Sequence, residues 1–171
     1  MSSNKHFLVL FVITLSEGFH IHIDNFELCD KEEQLITFDI NVKNDGDKQI
    51  LEYGLLDTKI DMNNDIQNTI TLYKHVENGW HSMISKTDPV CIMVENIMGD
   101  LAKSLENTVG LTQGCPYPKG KYEVKNYPLD FEQFKYKEFP PGKNKMKSEF
   151  FAKDDDKKRI GCYEVEFTVE K

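Results

Sequence analysis

The residues of this 171-residue chain that could carry chemistry are four cysteines, five histidines and a scatter of carboxylates, and their spacing restricts what they can do. Cys29, Cys91, Cys115 and Cys162 stand far apart, with none in a Cys-x-x-Cys pair, so neither a zinc knuckle nor a thioredoxin-type redox site is written into them. His20 and His22 lie two apart, so on a strand both imidazoles would leave the same face. No third ligand accompanies them, and an ordinary polar strand face is the simpler reading. Asp61, Asn63 and Asp65 begin like a calcium loop, but Ile66 stands where the turn needs glycine and Leu72 where the ion needs a bidentate carboxylate. His75 and His81 flank the turn at Asn78-Gly79, a setting in which histidines are usually solvated. No nucleophile elbow, phosphate loop, dinucleotide turn or His-Glu-x-x-His helix occurs. The sequence assigns no catalytic residue, no metal and no cofactor, and it reads as a non-enzyme.

The cysteines need a different explanation, and the amino terminus supplies one. Lys5 and His6 precede the apolar run Phe7–Leu15, and Ser16-Glu17-Gly18 places small residues two apart after it. That is the pattern of a secretory signal peptide over residues 1–18, leaving one domain at 19–171. The run is about half the length a membrane span requires. Export takes the chain into an oxidising compartment, where the four cysteines are expected to form two disulfides, with the pairing left open among three connectivities. The formal charge of −8, without a basic stripe, speaks against nucleic acid and against an anionic membrane surface as partners. No Asn-x-Ser/Thr acceptor is present.

The elements that must position these residues are strands. Phe19, Ile21 and Ile23 alternate with His20, His22 and Asp24 in an edge-type strand running to Cys29. Ile36, Phe38, Ile40 and Val42 alternate with polar residues up to the turn at 44–47, and a hairpin partner follows from Ile50 to about Ile60. Ile66, Ile70, Leu72 and Val76 share a face before Asn78-Gly79 turns the chain toward Trp80. Between Asp88 and Gly110 one helix is expected, with Asp88 as N-cap, Pro89 at the first helical position, and Val94, Ile97, Met98, Leu101 and Leu105 on one stripe. Strands then occupy roughly 121–125, 145–152 and 160–170, the last with Tyr163, Val165, Phe167 and Val169 on one face, and 153–159 is read as a solvated turn. Hairpins with one short helix and two staples make an all-β fold, an antiparallel two-sheet β-sandwich.

Four landmarks in the carboxy-terminal half stand in a distinctive order. They are the helix cysteine Cys91, the turn Cys115-Pro116-Tyr117-Pro118-Lys119-Gly120-Lys121-Tyr122, the corner Phe139-Pro140-Pro141-Gly142, and the strand entry Arg159-Ile160-Gly161-Cys162. This order resembles the ganglioside GM2 activator group within the MD-2-related lipid-recognition family. The resemblance implies a β-cup, two sheets splayed around an apolar cavity, and pairing of Cys29 with Cys162 and Cys91 with Cys115. It also implies a secreted lipid-binding protein that sequesters or presents an apolar ligand to a membrane receptor or channel, acting as a monomer. The activator group has eight cysteines and this chain four, which is closer to the secreted arthropod relatives associated with chemosensation and pheromone response.

From periodicity alone the helix stripe would be ordinary core. The resemblance instead places Trp80, Met83, Ile84, Met93, Ile97, Met98 and Leu101 around the cavity or its mouth, where methionine suits a pocket that adapts to acyl chains. Two rivals are a receptor-docking accessory module with a closed core and a secreted hydrolase whose catalytic groups meet only in the fold. In the chain-entropy treatment, loops closed by such pairs contribute roughly 5 and 3.5 kcal/mol, which together match the whole stability of a small domain. Reduction is therefore expected to abolish the cooperative unfolding transition, as followed by circular dichroism with and without a thiol reductant.

Overall fold

The computed structural model describes residues 20–29, 34–46, 48–153 and 155–170. The expected signal peptide, Phe19 and Asp47 lie outside them. The strands are β1 (His20–Leu28), β2 (Ile36–Asp45), β3 (Lys48–Thr58), β4 (Ile66–Val76) and β5 (Gly79–Pro89), then β6 (Gly120–Leu129), β7 (Gly142–Ala152) and β8 (Asp155–Glu170). Two helices, α1 (Val90–Ile97) and α2 (Asp100–Thr108), separate β5 from β6, and a single 3-10 turn occupies Phe131–Gln133. One sheet has the order β1-β8-β7-β4-β5 and the other β2-β3-β6, and the strand pairings within them are antiparallel. The expected two-sheet sandwich is therefore the fold.

Register shows how alternation became two inner faces. Tyr163, Val165 and Phe167 on β8 oppose Ser148, Met146 and Asn144 on β7, which in turn oppose Ile70, Leu72 and Lys74 on β4. In the smaller sheet Ile36, Phe38 and Ile40 oppose Thr58, Leu56 and Gly54. A bulge between Ile23 and Asn25 on β1 shifts the parity, so that Phe26 and Leu28 fall opposite Val165 and Tyr163.

The sheets meet closely where β1 and β8 approach β2. Cys29–Cys162 spans that junction, the Leu35 N–H donates to the Ile160 carbonyl at 2.9 Å, and the Cys162 N–H donates to Gln34 Oε1 at 2.7 Å. A Cβ on Gly161 would lie 2.8 Å from the Ile36 carbonyl oxygen and 3.2 Å from the Phe150 ring, so only glycine lets the two sheets come this near.

Two buried clusters occupy the inter-sheet space. One joins Ile36, Met62, Ile66, Val90, Tyr117, Phe150 and Ile160 beside the junction. The other joins Ile21, Leu72, Phe139, Phe167 and Val169 toward the opposite end.

Four local expectations are corrected. The single helix is two, because Gly99 takes φ +56° and turns the chain between them. Asp88 is still in β5, paired with Asn68 and bridged to Lys86, so Pro89 is the N-cap of α1 and no side chain caps it. The stretch 153–159 is mostly strand, since β8 begins at Asp155 and its charged residues continue the ladder past the apolar part. Val76 was placed with Ile66 and Leu72, but it is 40% exposed, because the β4–β5 hairpin runs beyond the last β7 partner of β4 at Asn144.

Gly161→Ala is expected to destabilise the protein by about 1–3 kcal/mol through overpacking against Ile36, although alanine is intrinsically the better strand residue. Urea denaturation of the oxidised protein measures it, and an unchanged midpoint would show that the junction is looser than drawn.

Candidate functional site

The far side of the sandwich is closed by the helical hairpin, which is anchored at both ends. Near the junction, Cys91 at the start of α1 is bonded to Cys115, so both disulfide pairs are those the resemblance implies. The Cys-Pro-Tyr-Pro turn that follows is tied three ways. Met62 and Tyr117 exchange backbone hydrogen bonds of 2.8 and 2.9 Å, the Lys119 N–H donates to Asp61 at 2.8 Å, and the Tyr117 hydroxyl donates to Glu106 on α2. At the other end the N–H groups of Lys135 and Tyr136 both donate to the Ile97 carbonyl, and Ser104 donates to Gln133. Gly99 makes this docking possible, since a Cβ there would stand 2.8 Å from Lys135 Cβ.

The segment thus docked, 130–141, crosses from one sheet to the other and brings four aromatic rings into the inter-sheet space. Phe131, Phe134 and Tyr136 pack on the second buried cluster, and Phe139 belongs to it, with ring centroids 5.2 Å from Phe167 and 4.8 Å from Tyr136. Sequence reasoning noted Phe139 only as part of a proline-glycine corner. The overlooked signal was four aromatic residues in nine positions between Pro128 and Pro140.

Between the two clusters the inner faces are apolar without being fully covered. Phe38, Ile40 and Leu56 on the smaller sheet and Ile70, Met146, Tyr163 and Val165 on the larger are half-buried, whereas residues of the clusters beyond them are buried. Tyr163 lies at the centre, its ring 4.8 Å from Phe38 and 5.3 Å from Phe26. Burial raises its phenol above the ordinary range. Ser148 and Asn68 place a small hydrogen-bonded polar pair on the same inner face, 2.8 Å apart.

This surface meets, at Phe38 and Ile40, a cleft of about 390 Å³ along the β1–β2 seam that is lined by residues 26–28 and 37–40 and by Leu55. A smaller cleft of about 150 Å³ continues it along Ile23–Phe26 and Ile40–Val42. Gln49 of β3 bridges the seam beyond it. Its carbonyl accepts from the Ile23 N–H at 2.7 Å and its amide nitrogen donates to the Ile23 carbonyl at 3.0 Å, with His22 Nδ1 also 3.0 Å away.

The residues expected around a cavity mouth do not gather at this cleft. Trp80 lies on the outer face of the larger sheet, edge-on to His75 and beneath the Lys143 and Lys145 ammonium groups at 5.7 and 5.2 Å. Met83 and Ile84 are exposed on the edge strand β5, at 58% and 54%. Met93 and Leu101 are buried within the helical hairpin, and Ile97 and Met98 are half-buried where it meets 133–136. Helix α1 packs on β4 and β5, whereas the aromatic segment it meets also reaches β1 at Ile21. His20 is exposed, and among the described residues no group of three His, Cys, Asp or Glu side chains could hold a metal ion.

Residues 68–146 match the model of a family described as "Protein of unknown function (DUF1091)". That span runs from β4 through both helices and the aromatic segment into β7. Among solved structures, the chain is similar to chicken MD-1, whose structure was determined as a complex with lipid IVa. The identity is 14%, the TM-score 0.41, and the match covers 90% of this chain and 97% of that one. It is likewise similar to a Niemann-Pick type C2 protein from Japanese carpenter ant, at 15% identity and a TM-score of 0.36, covering 84% and 97% respectively. No curated protein sequence matches the chain.

The Tyr117–Glu106 bond holds α2 against the turn and is testable through pH. Burial foremost, and then the hydrogen bond to Glu106 and its charge, push the Tyr117 phenol above its ordinary value. The folded state therefore retains that proton where the unfolded chain loses it. The stabilisation is complete below about pH 10 and is lost as pH rises above it. Tyr117→Phe is expected to cost about 1–3 kcal/mol at pH 7 and to flatten the alkaline fall in stability above about pH 10, measured by urea melts across the alkaline range.

Proposed function

We propose that the protein is a secreted, non-enzymatic lipid-binding protein that holds an apolar ligand between its sheets and presents it to a membrane receptor or channel. The observation that carries this reading is the half-covered apolar surface running from Met146 and Val165 through Tyr163 to Phe38 and Ile40. It reaches the seam cleft at Phe38 and Ile40, and its other residues pack on the two buried clusters. A sandwich evolved only for stability gains by closing such a surface, because apolar area left accessible forgoes roughly 25 cal/mol per Å².

A ligand fits this arrangement without any reactive group. An acyl chain entering the seam would exchange water for Phe, Ile, Met and Val contacts, at about 0.8 kcal/mol per methylene. The two disulfides belong to an oxidising compartment, extracellular or lumenal. Action as a monomer and a setting in chemosensation or pheromone response rest on the resemblance of the cysteine framework and the four landmarks. A second reading, docking on a protein partner without a lipid, draws on the exposed Met83 and Ile84 along the free edge of β5.

Native mass spectrometry of the oxidised protein, followed by organic extraction, separates the two. A stoichiometric lipid adduct is the expected result, and an apoprotein that also takes up none of a lipid panel would transfer the assignment to protein docking. Ile40→Asn is expected to weaken ligand retention by roughly tenfold through loss of apolar contact, and Val76→Asn on the overhanging hairpin to leave it unchanged.

A further inference from the structure

The larger sheet breaks its apolar pattern at one place on the inner face. On β4 the inward residues run Ile66, Asn68, Ile70 and Leu72, and on β7 they run Met146, Ser148 and Phe150. A polar side chain thus interrupts each of two neighbouring interior strands. Ser148 is 0% exposed and Asn68 3%. Asn68 Nδ2 donates to Ser148 Oγ at 2.8 Å and to the Glu149 carbonyl at 3.1 Å, which spends both amide protons. Stability does not call for such a pair, since two apolar residues of the same shape are nearly neutral or better in its place.

The pair is not closed on itself. Across the strands Ser148 stands between Ile70 of β4 and Tyr163 of β8, both of them half-buried. The Ser148 side chain is the hydrogen-bonding neighbour of the Tyr163 phenol, and burial keeps that phenol protonated. Among the described residues no acceptor takes the phenol proton and no donor reaches Asn68 Oδ1. One donor and one acceptor are left over, gathered around the Ser148 hydroxyl. Strand order fixes where they lie. Phe26 of β1 flanks Tyr163 on one side and Ser148 of β7 on the other, so the polar groups are on the side away from β1 and its cleft.

We infer that Tyr163, Ser148 and Asn68 form an interior seat for one neutral hydroxyl, and that the ligand is an apolar alcohol with its oxygen past the Tyr163 ring and its chain over Phe38 and Ile40. This rests on the lipid-binding reading and names the ligand class for the same site. A hydroxyl accepts from the phenol and donates to Asn68 Oδ1, so it satisfies both groups at once. A plain hydrocarbon leaves both unpaired. A fatty carboxylate would bring a charge into an apolar interior, where burial without a partner is costly. The cation opposite Ile70, Lys86, is already bridged to Asp88 at 2.6 Å.

The test uses the full oxidised chain at pH 7 and the neutral apolar dye N-phenyl-1-naphthylamine, displaced by dodecanol and by 1-chlorododecane, which has the chain without the hydroxyl. Tyr163→Phe keeps the ring against Phe26 and Phe38 and removes only the phenol oxygen. It is expected to weaken dodecanol roughly fivefold and to leave 1-chlorododecane within about twofold. Ser148→Ala removes the middle of the network and should weaken dodecanol by about threefold, again with little effect on the chloride. Reading both ligands in one variant separates loss of the seat from a general change of packing, which moves them together. Dodecanol unchanged in the variants, or both ligands weakened equally, overturns the inference and leaves the lipid-binding reading standing. Should Tyr163→Phe no longer bind the dye, Ser148→Ala decides by the same comparison. Failure of the dye and of both ligands to bind the unaltered protein overturns both readings.

Discussion

The architecture depends on the close approach of two backbones, β8 at Gly161 and β2 at Ile36. Everything that makes this chain a two-sheet object converges there: the Cys29–Cys162 disulfide, the hydrogen bonds from Leu35 and Cys162, and the packing of Ile36, Phe150 and Ile160. Because the carboxy-terminal strand is thus bound to the start of the second strand, the contact closes nearly the whole chain into one loop. A disulfide across so long a loop stabilises chiefly by restricting the unfolded chain. The absence of a side chain at 161 sets how near the sheets can come.

Given that fixed junction, the shape of the interior follows from what is wedged into the opposite side. The smaller sheet has three strands and the larger five, so β4 and β5 extend past anything the smaller sheet can cover. The helical hairpin and segment 130–141 fill that deficit, the first held by Cys91–Cys115 and Tyr117–Glu106, the second by its bonds to Ile97 and its aromatic rings. The same pieces that complete the core leave its middle accessible from the seam, which links the packing of the fold to the capacity for a guest.

Much of this was legible in residue order, for identifiable reasons. The alternation in Ile36–Val42 and Tyr163–Val169 yielded true inner faces, because a strand with one buried side has no other way to satisfy its apolar residues. The helix stripe is real, but Gly99, with its φ of +56°, marks a corner that divides it between two helices. The resemblance puts Trp80 at a cavity mouth, yet its pairing with His75 places it on the outer face among lysines. The bulge between Ile23 and Asn25 carried Phe26 and Leu28 to the cleft, and parity counted from Ile21 would have sent Phe26 to the outside.

By itself the sequence determined the class of fold, the positions of the hairpins, the cysteine framework and the lack of a recognisable catalytic motif. All of these are encoded within short windows or in residue types, where alternation, turn chemistry and spacing suffice. The tertiary structure decided which inner faces stay half-covered, and that the aromatic rings of 131–139 pack on the core. Those facts depend on how two sheet edges sit against one another. That relation is set by contacts between residues as distant as Ile36 and Gly161, and no local pattern in the chain contains it.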